Sequence, residues 1–76
     1  MALRVSLVDP QRQLLNEITD DRMKRFDVAQ TYAMALDSDE VDWSLVNREI
    51  IDRWSMSGLK WIKEKAWKIR EPEAPA

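Results

Sequence analysis

Between Leu14 and Ile69, apolar residues recur every three or four positions within segments that polar residues separate, which is the spacing of amphipathic helices. The N-terminal stretch differs, because apolar and polar residues alternate from Met1 to Val8 with the period of a half-buried strand. A lone strand has nothing in its own chain to pair with, so we interpret residues 1–9 as an extended arm. The sequence therefore predicts an all-α fold, a small bundle of three to four short helices.

The first helix is predicted to begin at Asp9 and Pro10. An aspartate side chain accepts hydrogen bonds from the first-turn amides, and proline at the first helical position lacks an amide that would be unsatisfied. Polar residues follow at positions 19–21, where Thr19 or Asp20 could cap a second helix. We therefore favour two helices over residues 10–36, and one bent helix is the alternative. The apolar stripe of this region comprises Leu14, Leu15, Ile18, Phe26, Ala29, Ala33 and Leu36.

A third helix is predicted to begin after the acidic run of residues 37–42. Asp42 is its expected N-cap, and Val41 and Val46 then occupy the two positions of a hydrophobic staple. The acidic run also suggests a calcium loop, but Arg48 stands where an EF-hand needs its bidentate glutamate, so we interpret the run as a solvated loop. The core face of this helix is predicted to contain Trp43, Val46, Ile50 and Trp54.

Residues 55–58 interrupt this pattern, since they hold the chain's one glycine and two serines. Ser57 is predicted to cap a fourth helix. A kinked helix from Trp43 to Arg70 is the alternative, because one internal glycine costs only about 1 kcal/mol. Pro72 should push the residue before it into an extended conformation, so we expect a single helical domain over residues 10–70 and a disordered tail over residues 71–76. The apolar face of the last helix is Leu59, Ile62, Ala66 and Ile69.

The 76 residues include no cysteine and no histidine, and the formal net charge is -2. Disulfides, a thiolate nucleophile and the commonest general base and metal ligand are thereby excluded, so we expect no enzyme, no cofactor and no metal. No apolar run approaches the ~20 residues that span a bilayer, and the first eight residues lack the pattern of a secretory signal. We therefore expect a cytoplasmic protein with no membrane partner.

Four tryptophans lie between Trp43 and Trp67, which is the strongest compositional anomaly of the chain. Trp43 and Trp54 belong to the apolar stripe and are expected in the core. The other two lie off that stripe, and exposed tryptophans often anchor interfaces. One large Trp-rich core is the equally weighted alternative. The leading hypothesis is a small protein-interaction module, such as an accessory subunit, adaptor or inhibitor, that binds a protein or a second copy of itself through Leu3, Val5, Leu7, Trp61 and Trp67.

The last helix concentrates positive charge, with a single carboxylate, Glu64, among its cations. The alternative function is a nucleic-acid-binding regulator, in which residues of about 46–69 resemble a helix-turn-helix segment whose basic second helix contacts phosphate. A plainer explanation is that lysines near a helix C-terminus interact favourably with the helix dipole and keep the helix soluble. The phosphate contacts of the alternative would be Lys60, Lys63, Lys65 and Lys68.

Overall fold

The computed structural model describes residues 9–71, which form three α-helices and no strand. These are α1 (Pro10–Thr19), α2 (Arg25–Met34) and α3 (Trp43–Arg70). The predicted all-α class is confirmed. The helix count sits at the lower end of the predicted range because the last two predicted helices join into α3.

The two ends of the chain lie largely outside the described residues. Residues 1–8 of the predicted arm, with Leu3, Val5 and Leu7, are among these, as are residues 72–76 of the predicted tail. At the C-terminal edge Glu71 has an extended backbone, with φ -63° and ψ 128°, as expected for the residue before a proline.

The beginning of α1 follows the local sequence. The Asp9 carboxylate accepts hydrogen bonds from the backbone amides of Gln11 at 3.1 Å and Arg12 at 3.3 Å, and Pro10 is the first helical residue. The side chain thus satisfies amides that have no partner within the helix, while proline contributes no further unsatisfied amide. The predicted N-terminus of the first helix is confirmed.

Two separate helices occupy residues 10–36, as predicted, but α2 is capped differently. Thr19 is still within α1, where its hydroxyl donates to the Leu15 carbonyl at 2.9 Å, and Asp20 ends that helix. The N-cap of α2 is Lys24, whose backbone amide donates to the Asp27 carboxylate at 2.9 Å. The predicted cap at Thr19 or Asp20 is wrong because a turn follows α1 before the second helix begins.

The beginning of α3 is also as predicted. The Asp42 carboxylate accepts from the Leu45 amide at 3.2 Å. Val41, just before this cap, and Val46, in the second turn, are both buried in the core, as a hydrophobic staple requires. A cap and a staple together fix the direction in which the chain enters α3.

One hydrophobic core is shared by the three helices. Phe26 and Ile69 were predicted to join it, but their side chains are 45% and 42% exposed. Both belong to terminal turns, where fewer neighbouring elements cover a side chain. Trp43 and Trp54 pack against the core and are half-buried. The buried apolar residues are Leu14, Ile18, Val28, Ala29, Tyr32, Ala33, Ala35, Val41, Val46, Ile50, Leu59, Ile62 and Ala66.

A kink divides α3 at Ser55, whose backbone has φ 73° and ψ 176°. This left-handed extended conformation is one that residues with a side chain rarely adopt. Ser57 lies within the helix, so the prediction that it caps a fourth helix is wrong. The alternative of one kinked helix from Trp43 to Arg70 describes the structure, but the break falls at the serine rather than at the glycine.

Arg53 fastens α3 to the end of α1. Its guanidinium lies where the last carbonyls of α1 lack helical partners, and a cation is favourable at that end of a helix. The same group reaches the loop that leads to α2. Its hydrogen bonds run to the backbone carbonyls of Glu17 (3.3 Å), Ile18 (2.7 Å), Asp20 (2.9 Å), Asp21 (3.3 Å) and Met23 (2.7 Å).

Candidate functional site

Trp67 is the largest of the exposed apolar residues of the described surface and is 62% exposed. It lines a groove of about 450 Å³ along the second half of α3. We call this surface the Trp67 face. It consists of Met56, Leu59, Lys60, Lys63, Glu64 and Trp67.

Helical geometry explains why these residues share a surface. Met56, Lys60, Lys63 and Trp67 are separated by four, three and four residues, so they lie above one another on one side of a helix. The side of α3 that carries Ile62 is buried against the rest of the domain. Met56 is 65% exposed, so two large apolar side chains of one helix face remain in contact with water.

A second groove, of about 400 Å³, adjoins Trp67 on the side of the α2–α3 loop. Its wall is held in place by Arg70, whose guanidinium donates to the Ala33 carbonyl at 2.9 Å and pairs with Asp37 at 2.5 Å. Trp67 therefore stands between two grooves. The second is lined by Leu36, Asp37, Trp67, Lys68, Arg70 and Glu71.

Trp61 has a different environment. Its side chain is half-buried against the core, and the Arg25 guanidinium carbon lies 4.7 Å from the ring centroid. This cation–π contact ties the beginning of α2 to α3. Trp61 and Trp67 point about 120° apart at the helical repeat, so they do not share a face.

The lysines of the last helix are also distributed over several surfaces. Lys60 and Lys63 line the Trp67 face, and Lys68 lines the second groove. The Lys65 ammonium nitrogen lies 5.5 Å from the centroid of the Phe26 ring, on the side facing α2. The break before these lysines is the single residue Ser55, whereas a helix-turn-helix has a turn of about three to four residues.

Neither cation of the Trp67 face has a carboxylate partner among residues 9–71. Lys60, Lys63 and Glu64 take part in none of the ion pairs found there. All three side chains are exposed. The ion pairs of this part of the chain are Arg22–Asp20 and Arg70–Asp37.

The other polar groups of the described ranges make contacts within the fold. No three acidic side chains there are grouped so as to hold a metal ion. Burial raises the pKa of the Tyr32 hydroxyl, which donates to the Asn47 side-chain oxygen at 2.9 Å. Hydrogen bonds from Arg22 lower the pKa of Asp20, a half-buried group at the end of α1. These contacts support the fold and lie outside the Trp67 face.

Met56 is the residue of this surface that the sequence analysis missed. Its distance from Trp67 along the chain, eleven residues, is close to three helical turns, which places both on one face. This helical spacing is visible in the sequence, but the predicted break over residues 55–58 assigned Met56 to a turn. Only the structure shows that α3 resumes its helical backbone directly after Ser55.

None of the three helices in residues 9–71 contains an apolar stretch of the length that a membrane span requires. Comparisons with protein-family models, with curated proteins and with solved structures give no match.

Proposed function

We propose that this chain is a small non-catalytic protein-interaction module that docks a protein partner through the Trp67 face. The observation that carries the proposal is the 62% exposure of Trp67 beside Met56, which is 65% exposed. A tryptophan side chain can bury about 150–250 Å², at roughly 25 cal/mol per Å² of apolar area. A partner that covers Trp67 gains the share of this contribution that belongs to its exposed 62%, without rearranging the core.

The composition of the surface supports a protein partner. Interfaces combine an apolar centre with a polar rim, and tryptophan is enriched among the residues that carry most of the binding energy. Here Trp67 and Met56 supply the apolar part, and Lys60, Lys63 and Glu64 supply the charged part. Single exposed apolar residues need no explanation, but two of them along one groove are a candidate docking surface.

The distribution of charge favours protein over nucleic acid. Phosphate binding requires cations that follow a backbone together, yet Lys65 faces Phe26 and Lys68 lies in the second groove. Glu64 lines the same groove as Trp67, and its carboxylate repels phosphate. The arm residues Leu3, Val5 and Leu7 lie outside the described residues, so their contribution to binding stays a prediction.

Affinity capture from the native lysate, with and without nuclease, tests the proposal. The variants are Trp67→Ala and, as a matched control, Met34→Ala, because Met34 is 78% exposed on α2 and lines neither groove beside Trp67. We expect a partner that the unmodified chain and Met34→Ala retain and that Trp67→Ala loses, whether or not nuclease is present. Equal capture by all three proteins, or loss of the partner after nuclease treatment, contradicts the proposal.

A further inference from the structure

We propose that the occupant of the Trp67 face is an acidic amphipathic helix of a partner protein. Its apolar side would cover Trp67 and Met56, and its carboxylates would pair with Lys60 and Lys63. This inference rests on the proposed function and adds the chemistry of the partner to it. The face runs along α3 for about three helical turns, a length suited to binding a second helix side by side.

Charge on the face is the first argument. Lys63 lies one helical turn before Trp67, and Lys60 one further turn back, so two ammonium groups accompany the exposed apolar side chains. Within residues 9–71 neither lysine has an ion-pair partner. Glu64 is the only carboxylate lining the groove, so the face carries a net positive charge that an acidic partner complements.

The same charges argue against a second copy of this chain. The spacing of Met56, Lys60, Lys63 and Trp67 matches the seam of a two-helix coil. Pairing the face with itself would place the lysines of both copies in one seam, where like charges repel. A partner with carboxylates opposite Lys60 and Lys63 turns that repulsion into attraction.

A second consideration is the size of the contact. A pair of helices three turns long buries less surface than a standard interface of about 1,600 Å². Apolar contact with one tryptophan and one methionine is therefore not enough for a stable complex, and a further attractive interaction is needed. Complementary charge supplies both affinity and a faster encounter, and its effect weakens as salt screens it.

Three synthetic helical peptides test the charge preference. They share one length and one apolar stripe of leucine and phenylalanine and carry Glu, Gln or Lys on the flanks. Calorimetric titration of the full chain at low salt should show the Glu peptide binding about five- to tenfold more tightly than the Gln peptide, as expected for two ion pairs. The Lys peptide should bind least well. Higher salt should reduce the differences in affinity among the three peptides, because it screens the charges.

A charge reversal assigns the effect to the face. In the double variant Lys60→Glu with Lys63→Glu, we expect the preference to shift to the Lys peptide. The control is Arg12→Glu with Arg48→Glu, which changes the net charge by the same amount at exposed positions of α1 and of the first half of α3. The control should keep the preference for the Glu peptide.

Several outcomes overturn the inference. The first two are equal affinities for the Glu and Gln peptides and a control variant that reverses the peptide preference as the Lys60/Lys63 variant does. The third is tighter binding of an oligothymidylate than of the Glu peptide. The fourth is self-association in sedimentation that the Lys60/Lys63 variant abolishes. The proposed function fails separately: it falls if Trp67→Ala captures the same proteins as the unmodified chain. If Trp67→Ala loses the partner but the Lys60/Lys63 variant retains it, the acidic partner is wrong and the interaction module stands.

Discussion

Gly58 lies against Trp54 so closely that a Cβ atom on the glycine would be 2.3 Å from the Trp54 Cβ. In a regular helix the Cβ atoms of residues four apart are about 5–6 Å apart. The kink at Ser55 lies between the two residues and accounts for the difference. Gly58 is thus required for close approach, although its own backbone is helical and the break in the helix is elsewhere.

Gly58→Ala should destabilise the protein by about 1–3 kcal/mol, the usual cost of overpacking a tight contact. In a straight helix the same change would stabilise the protein by about 1 kcal/mol. The sign of the change in the free energy of unfolding therefore distinguishes a kinked from a continuous α3. Urea denaturation followed by circular dichroism measures it. The cost should persist in a Trp54→Ala background, because the contacting atom is the Cβ that alanine retains.

Ser55→Gly should stabilise the protein by up to about 1–2 kcal/mol. A serine at φ 73° and ψ 176° stores backbone strain of about 1–3 kcal/mol, which glycine relieves at some cost in unfolded-state entropy. The control is Ser57→Gly, at a helical position of the same segment, which should destabilise by about 0.5–1 kcal/mol. Equal destabilisation by both changes in thermal unfolding would show that Ser55 carries no strain.

Arg53→Met should lower the free energy of unfolding by about 1.5–3 kcal/mol, since it removes charge-assisted hydrogen bonds to the carbonyls at the end of α1. Arg53→Lys should recover only part of this loss because an ammonium group cannot span the same carbonyls. Hydrogen exchange should accelerate first at the amides of α1. Arg48→Met is the control, as Arg48 is exposed on the same helix. Equal effects of the Arg48 and Arg53 changes would contradict the role assigned to Arg53.

Tyr32 should make stability fall at high pH. Burial raises the pKa of its hydroxyl in the folded protein above the ordinary value of 10.0, so the unfolded chain loses this proton first. The contribution of the Tyr32 hydroxyl to the free energy of unfolding is complete below about pH 10, and it is lost as the pH rises through the folded-state pKa. Denaturation midpoints between pH 9 and about 11.5, compared with Tyr32→Phe, measure it. If the variant declines as steeply as the unmodified protein, the loss comes from other groups.

Trp67→Ala should change the free energy of unfolding by less than about 0.5 kcal/mol, as expected for an exposed side chain. Ile62→Ala, at a fully buried position of the same helix, should cost about 2–5 kcal/mol. Chemical denaturation of the two variants gives both values. A large loss from Trp67→Ala would mean that the ring supports the fold, and the capture experiment would then need a smaller substitution such as Trp67→Phe.

Much of the fold could be predicted because its signals are local. Asp9, Pro10 and Asp42 act on amides within three residues of themselves, so their roles are visible in the chain. The site was only partly predictable. Helical spacing indicated that Trp67 lies off the apolar stripe, but it gave the same indication for Trp61, which Arg25 of another helix covers.

By itself, the sequence determined the all-α class, the beginnings of α1 and α3 and the extended residue before Pro72, because each depends on periodicity or on contacts one turn long. The tertiary structure decided the position of the kink, the anchoring of α1 by Arg53 and which tryptophan faces water. Those outcomes depend on groups brought together from distant parts of the chain. Arg53 reaches carbonyls thirty or more residues away, and no local pattern encodes such a contact.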